Sequence, residues 1–404
     1  MWNASIDRWL TGSVLAVLLL GTASCGMDQK DILPEDGFLK IFNHPQEELA
    51  FYPESVVQLT DGGYLFLSGV KDELSETEYP YAYLTRTDVT GKVLWSRSYE
   101  WNAPASRMFL QDGRACFVAM NDQFQAFALE VDPGSGDIAA QHDLGMTMPL
   151  ASYRDQEGKL LVLGYEFDSH SSWVCKFSAS FNLERSSLLN VNNDLMQVEI
   201  QRHMNKIGQE YPFYIGEFNN GTGNGYYVSC FYNYTLRNVF LDRSSLSPSG
   251  DIYLYQTGEA VSSLIPKAGS GFGLTSYYEG NNFILPRTEP DVTASENIKD
   301  WEAEPLYELT FKAPVIPLTL QTEDGDFTLF ASQTNASRIV LYQYAADSDS
   351  LVRTHEKGFD EQVAVADLVA TDDGGVVILA GTFILGKYRR PVLYKMDPEE
   401  FLKP

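Results

Sequence analysis

Along most of this chain, apolar runs of about six residues are separated by polar turns rich in Asp and Gly, and unbroken helical periodicity is scarce. The clearest instance is Thr60-Asp61-Gly62-Gly63-Tyr64, which introduces the run YLFLSG ending at Gly69. The same text returns near the far end as Thr371-Asp372-Asp373-Gly374-Gly375, followed by VVILAG to Gly381. An Asp-Gly-Gly turn between two apolar segments predicts a hairpin, because glycine reaches positive φ without a Cβ clash and Asp hydrogen-bonds its own backbone.

Aligned on the glycine before each run, the copies fall at Gly63, Gly113, Gly158, Gly225, Gly271, Gly325 and Gly375. Each opens a strand (YLFLSG, RACFVA, KLLVLG, YYVSCF, FGLTSY, DFTLFA, VVILAG), and in five copies the last position is Gly or Ala, as expected where neighbouring sheets approach closely. An apolar segment precedes the turn, as in Ser55 to Leu59 or Val365 to Ala370. A third strand ends in Asp88, Asp132 or Asp397, and a fourth follows a tight Asp-x-x-Gly turn in the better copies. Four strands in about 50 residues, repeated seven times, is the period of a propeller blade. The fold class predicted is all-β: a single β-propeller over residues 38–404 with seven four-stranded blades, six or eight being the neighbouring counts. The last copy lacks its fourth strand, and residues 37–43 (GFLKIFN) match the outer-strand text VLWSRSY in length and alternation, so the N-terminal strand is expected to close the ring.

Two segments break the repeat. Met196, Ile200, Met204 and Ile207 fall near i, i+4, i+8 and i+11, which predicts a short helix between copies three and four with Asp194 as its cap; a strand reading of MQVEIQ is the alternative. Pro286 to Glu304 reads as an acidic loop containing Trp301. In an up-and-down blade both kinds of tight turn lie at one end of the barrel of blades, so the variable connections share the other end, where loops free of a turn constraint carry recognition. Tyr165, His170, Tyr232, Tyr278, Tyr388 and Arg389 are the binding candidates there, against the reading that they are surface aromatics and a solvated charge. The excursion at 286–304 conflicts with that choice, since it leaves from the tight-turn end.

The pattern Thr-Asp-Gly-Gly-Tyr, an apolar strand ending in Gly, then Asp-x-x-Gly and Leu-Trp, resembles the propeller-like repeat lipoproteins of the Bacteroidetes type over residues 38–404. The resemblance is specific for architecture and carries no activity. The leader points the same way. Gly12 to Leu20 is an apolar core too short to span a bilayer, and it ends at Gly21-Thr22-Ala23-Ser24-Cys25-Gly26, which is similar to a lipobox. That likeness implies a signal peptide over 1–24, acylation of the Cys25 thiol and an acidic tether over 25–37; an ordinary secretory signal is the alternative. The implied place is the cell envelope, lipid-anchored at the outer membrane of a Gram-negative bacterium.

Composition adds limits. With 55 Asp+Glu against 29 Lys+Arg the net charge is -26, which disfavours nucleic acid and leaves the lipid anchor as the expected route to a membrane. Cys116, Cys175 and Cys230 sit in apolar runs and read as buried small hydrophobes, with a bridge between neighbouring copies, such as Cys116 to Cys175, left open. His44, His142, His170, His203 and His355 show no metal-ligand spacing, and there is no GxSxG elbow. Asn219 to Gly225 reads as a hairpin turn rather than a phosphate cradle, since no Lys follows it. No cofactor is expected. Calcium at Asp347-Ser348-Asp349 or Thr322 to Asp326 is the sharper alternative to plain turn chemistry. The 23 Tyr, 23 Phe and 6 Trp are read first as packing between blades and second as sugar-stacking surface. The expected function is therefore a non-enzymatic binding or scaffold propeller for an envelope protein or glycan, and the alternative is a propeller enzyme acting on a glycan or other polymer.

Overall fold

The computed structural model describes residues 36–402 apart from 45–47, 73, 76–77, 257, 324, 359–360 and 384–387. Cys25 and the signal and tether segments up to residue 35 lie outside the described residues, as does Asp324 in one of the two oxygen-rich turns.

Twenty-eight strands make up the described chain, together with one α-helix and two short 3₁₀ turns. Strand β1 (Phe38–Ile41) stands apart in sequence from its sheet. Next come β2 (Leu49–Gln58), β3 (Tyr64–Asp72), β4 (Tyr81–Thr87) and the first half of β5 (Val93–Gln111), paired in that order as blade one. The second half of β5 is the first strand of blade two, with β6 (Arg114–Met120), β7 (Gln125–Val131) and β8 (Ile138–Thr147). Blade three is β9 (Ala151–Arg154), β10 (Leu160–Glu166), β11 (Ser171–Phe177) and β12 (Leu183–Asn190). After helix α1 (Met196–Met204) blade four is β13 (Tyr214–Asn220), β14 (Gly223–Tyr232), β15 (Thr235–Asp242) and β16 (Pro248–Tyr253). Blade five is β17 (Ala260–Pro266), β18 (Phe272–Tyr278), β19 (Asn281–Thr288) and the two-residue β21 (Pro305–Leu306), reached through β20 (Ser295–Asn297). Blade six is β22 (Ile316–Thr322), β23 (Gly325–Gln333), β24 (Arg338–Ala345) and β25 (Leu351–Gly358). The last three strands, β26 (Val363–Ala370), β27 (Val376–Phe383) and β28 (Arg389–Met396), pair with one another, and β28 pairs with β1 in the register Phe38↔Lys395 to Ile41↔Val392.

The first strands of these seven sheets touch in a closed circuit: β2 meets β5, β5 meets β9, then β13, β17, β22 and β26 follow, and β26 returns to β2. A ring of twisted antiparallel sheets around an axis is a β-propeller.

Each second strand is buried on both sides, which explains its continuous apolar text. In β3, Leu65 and Leu67 pack with Ala115 and Phe117 of blade two, while the alternate residue Phe66 meets Phe42 near the blade-seven strand at 4.8 Å between ring centres. In β6 the alternation repeats: Phe117 faces blade one, and Val118 joins Val162 and Cys175 of blade three. Most of the aromatic rings are spent this way, Phe66, Phe117, Phe231, Phe240, Phe272 and Phe330 being fully buried. Cys116, Cys175 and Cys230 are buried free thiols, each pushed up to about 12 chiefly by burial.

The repeated turn has a physical signature beyond positive φ. Gly62 and Gly374 take φ of 82° and 85°, closing the turn, and the following glycine is needed for another reason. A Cβ on Gly63 would stand 2.4 Å from the Thr87 carbonyl oxygen, and one on Gly375 would stand 2.4 Å from that of Met396, so the turn lies against the third strand. The turn carboxylates meet cations of that strand, Asp61 with Arg86 and Asp373 with Lys395.

Three sequence expectations are corrected in detail. The helix has Leu195 at its N-cap, and the side chain that takes a terminal N–H is Asn193, whose Oδ1 accepts from Leu195 N at 3.1 Å, not Asp194. Met196, Ile200 and Met204 are buried as the spacing implied, but Ile207 falls beyond the helix. The 286–304 segment does leave from the tight-turn end, yet it climbs the outer wall: β20 adds to blade four as a fifth strand, parallel to β16, before β21 joins β19 near the loop end.

Candidate binding face and the filled channel mouth

Within one blade the first-to-second and third-to-fourth turns share an end, and the second-to-third loops and the links between blades share the other. Call these the turn face and the loop face. Helix α1 belongs to the link from blade three to blade four, and its continuation through residue 213 reaches blades far from its own. Lys71 Nζ, on blade one, donates to the Asn205 carbonyl oxygen at 2.8 Å. Lys206 Nζ sits 2.8 Å from Glu54 Oε1 on β2, and Lys312 Nζ, in the link from blade five to six, donates to Gln209 Oε1 at 3.0 Å. Arg389 of blade seven lies 3.7 Å from Glu210. A segment that meets blade one, blade seven and the link from blade five to six lies across the loop-face end of the axis. Met196, Ile200, Met204, Tyr211 and Phe213 anchor it in the core shared by blades three and four.

The chemistry of this plug is that of an ion cluster in which Glu54 and Lys206 are mostly covered and Glu210 is half exposed. Burial pushes Glu54 above the ordinary carboxylate value, and the Lys206 ammonium opposes that rise. For Glu210 burial acts the same way, but Lys206, at 3.7 Å, and Arg389 outweigh it and hold the carboxyl below its ordinary value. His203, pushed down to about 3 by burial, is neutral and accepts the Tyr211 N–H on Nδ1 at 3.0 Å. Beside the cluster Glu54, Pro80, Ala103, Pro149, His203 and Lys206 line a cavity of about 30 Å³, room for a water or two.

Exposed apolar side chains also lie on the connections of the loop face. Leu74 is 77% exposed, Leu195 71%, Tyr234 56%, Tyr255 69% and Tyr307 73%. Several rings there carry a cation. Arg237 lies 4.7 Å from the Tyr253 ring centre and 6.0 Å from that of Tyr232, and Tyr253 packs edge-on against Tyr255 at 5.2 Å.

The sequence-predicted residues are dispersed over this face. Tyr165 is fully buried, edge-on to Phe167 at 5.9 Å, and belongs to the core instead of the surface. His170 is 3.7 Å from Asp194 at the start of the plug segment. Tyr232 is half-buried beneath Arg237, and Tyr278 stacks on Phe283 at 4.1 Å with Lys299 over its ring. Tyr388 is half-buried. Arg389 lies over Tyr52 and Phe383 while facing Glu210, so it alone of the six joins the plug cluster. Missed by sequence reasoning were Glu54, Lys206, Tyr234, Tyr255 and Tyr307; the last two lie in links between blades, and an aromatic placed where no strand pattern needs it is the signal that marks them. Of the calcium candidates, Asp349 faces two cations, Lys267 at 2.8 Å and Arg287 at 2.5 Å, so both its oxygens already have positive partners.

No family model matches the chain, and no curated protein matches it. Among solved structures it is similar to that of U3-55K, 11% identical with a TM-score of 0.51, covering 89% of this chain and 98% of that one. Matches also include the Dos1 propeller (11% identical, TM-score 0.48, 88% and 95% covered) and a mutant of AofleA from Arthrobotrys oligospora (10%, 0.44, 89% and 90%). At such identity the likeness to U3-55K is one of fold.

Proposed function

We propose that this chain is a non-enzymatic binding or scaffold propeller of the cell envelope, tethered through a lipid on Cys25 and presenting its loop face to an envelope protein or glycan. The observation that carries this reading is the make-up of the loop face. Residues 203–210 lie across the loop-face end of the axis, tied to blades one and seven by ion pairs, and exposed aromatics sit on connections of the same face. The described chain enters the fold at Asp36 to Phe38, beside Gly91 on the turn face. The enzyme reading has one observation in its favour, two mouth carboxylates shifted in opposite directions, Glu54 up and Glu210 down. Both, however, are closed onto the Lys206 ammonium.

Replacing Tyr234, Tyr255 and Tyr307 together by Ser is expected to weaken retention of the purified protein on envelope fractions at least tenfold, the scale of a single lost aromatic anchor. Retention unchanged by that substitution would remove the loop-face reading. The Pro286 to Glu304 segment is not a clean comparison, because trimming it strips β20 from blade four. For the anchor, Cys25→Ser is expected to leave export intact and move the protein from the membrane to the soluble envelope fraction; a substituted protein that stays with the membrane, beside a parent that takes no acyl label, would rule out the lipid.

A further inference from the structure

Fourteen arginines fall within the described residues, and thirteen of them have a side-chain hydrogen bond or an ion pair there: Arg86 with Asp61, Arg154 with the Leu110 carbonyl and Arg353 with that of Glu400 are typical. Arg107 has neither, although acids outnumber bases by 55 to 29. Its side chain is exposed, unlike those of its neighbours on β5, Ala105 and Met108, which are buried.

Where that exposure lies follows from the ring. Arg107 is on the first strand of blade two, and at its level the axis-facing strands are tied together: Met108 N donates to Ser55 Oγ, Ser55 Oγ donates to Asp367 Oδ2, and Ser152 Oγ donates to the Arg107 carbonyl. The guanidinium is near enough for its charge to act on Asp367 of blade seven, Tyr153 of blade three and Tyr227 of blade four. A side chain of blade two reaches blades seven and four together only across the central channel. Its open surface is thus channel surface, beyond Ala103 on the same strand, which lines the cavity under the plug.

We propose that the central channel carries an anion-binding site organised on the Arg107 guanidinium, taking a small carboxylate or phosphate. The fork of five N–H donors is unspent and fits either group with two parallel hydrogen bonds. Asp367 is already occupied by Ser55 Oγ and by the N–H groups of Val56 and Leu368, so its oxygens have partners other than the fork. This site is independent of the loop-face reading, since it uses none of the exposed loop-face aromatics.

The test is titration calorimetry of the full chain with inorganic phosphate and, separately, succinate, each against chloride at equal ionic strength. Binding of at least one anion is expected, and which one responds separates phosphate from carboxylate recognition. Arg107→Gln is expected to weaken that binding at least tenfold while leaving the unliganded melting temperature within a few degrees of the parent. Arg107→Lys, which keeps the charge and the fold but loses the fork, should fall between the two and serves where the Gln variant is poorly folded. Failure of both anions to bind the parent, or binding within twofold of the parent by either variant, would overturn the site.

Discussion

Deletion of residues 37–43 is expected to cost on the order of 5 kcal/mol of stability and to convert the protein into an aggregating one. The deletion removes β1, and with it the antiparallel partner of β28 along Phe38 to Ile41. Phe38, buried against Tyr64 with ring centres 6.1 Å apart, is lost from the junction of blades seven and one, as is Phe42, whose N–H donates to the Pro391 carbonyl at 2.9 Å. A single buried Phe truncated to Ala costs about 3–5 kcal/mol, so Phe38→Ala should show much of the loss without removing the strand. Denaturant midpoints with light scattering measure both effects, and a deletion mutant with the parental midpoint would mean that β1 contributes nothing to the ring.

Lys206→Ala is the second large effect, about 3–5 kcal/mol at neutral pH, because it leaves Glu54 charged and unpaired in the plug. Both partners are well covered, with 11% and 14% of their side-chain surfaces exposed, so solvent screens the pair little. The pH dependence has a definite sign. Burial raises Glu54 above its ordinary 4.5, so the folded state takes up this proton more readily than the unfolded one, and the contribution of this group to stability falls as pH climbs through that interval. Removing the ammonium raises Glu54 further. The deficit of Lys206→Ala is therefore expected to be larger at pH 7.5 than at pH 5, since acidification favours the protonated Glu54 carboxyl. A deficit of equal size at both values would show that the lysine acts by packing alone, and Lys206→Ala combined with Glu54→Gln should recover most of the loss at neutral pH.

Fold and function were unequally legible in the sequence. The blades could be read because their information is local: each Asp-Gly-Gly turn specifies its hairpin, and a strand buried on both faces reads as an unbroken apolar run. The helix was legible for the same reason, its buried Met196, Ile200 and Met204 lying at one helical spacing. Tyr165 was misplaced because Gly164 was taken as the end of a strand that runs on to Glu166; Leu161, Leu163 and Tyr165 alternate onto one face and enter one core. The ion cluster was not legible at all. Glu54, Lys206 and Arg389 come from three distant stretches, and no local pattern tells a lysine beyond a helix that its partner lies on blade one. Arg107 was silent for a related reason, since a lone arginine in a strand is ordinary until the ring shows that its side chain faces the axis.

The register Phe38↔Lys395 also fixes an order of events during synthesis. Within the ring, the closing strand leaves the ribosome before every blade, and its partner after six of them. At about 5–20 residues per second the two are separated by tens of seconds, during which Phe38 to Ile41 has no sheet to join. Six blades can form from neighbouring segments in turn; the seventh requires the two extremities of the ring to meet, a contact of the longest sequence separation the fold contains and hence the slowest to form. Until then one open edge of β28 and one unpaired β1 coexist, so the nascent propeller depends on whatever shields its beginning until its end arrives.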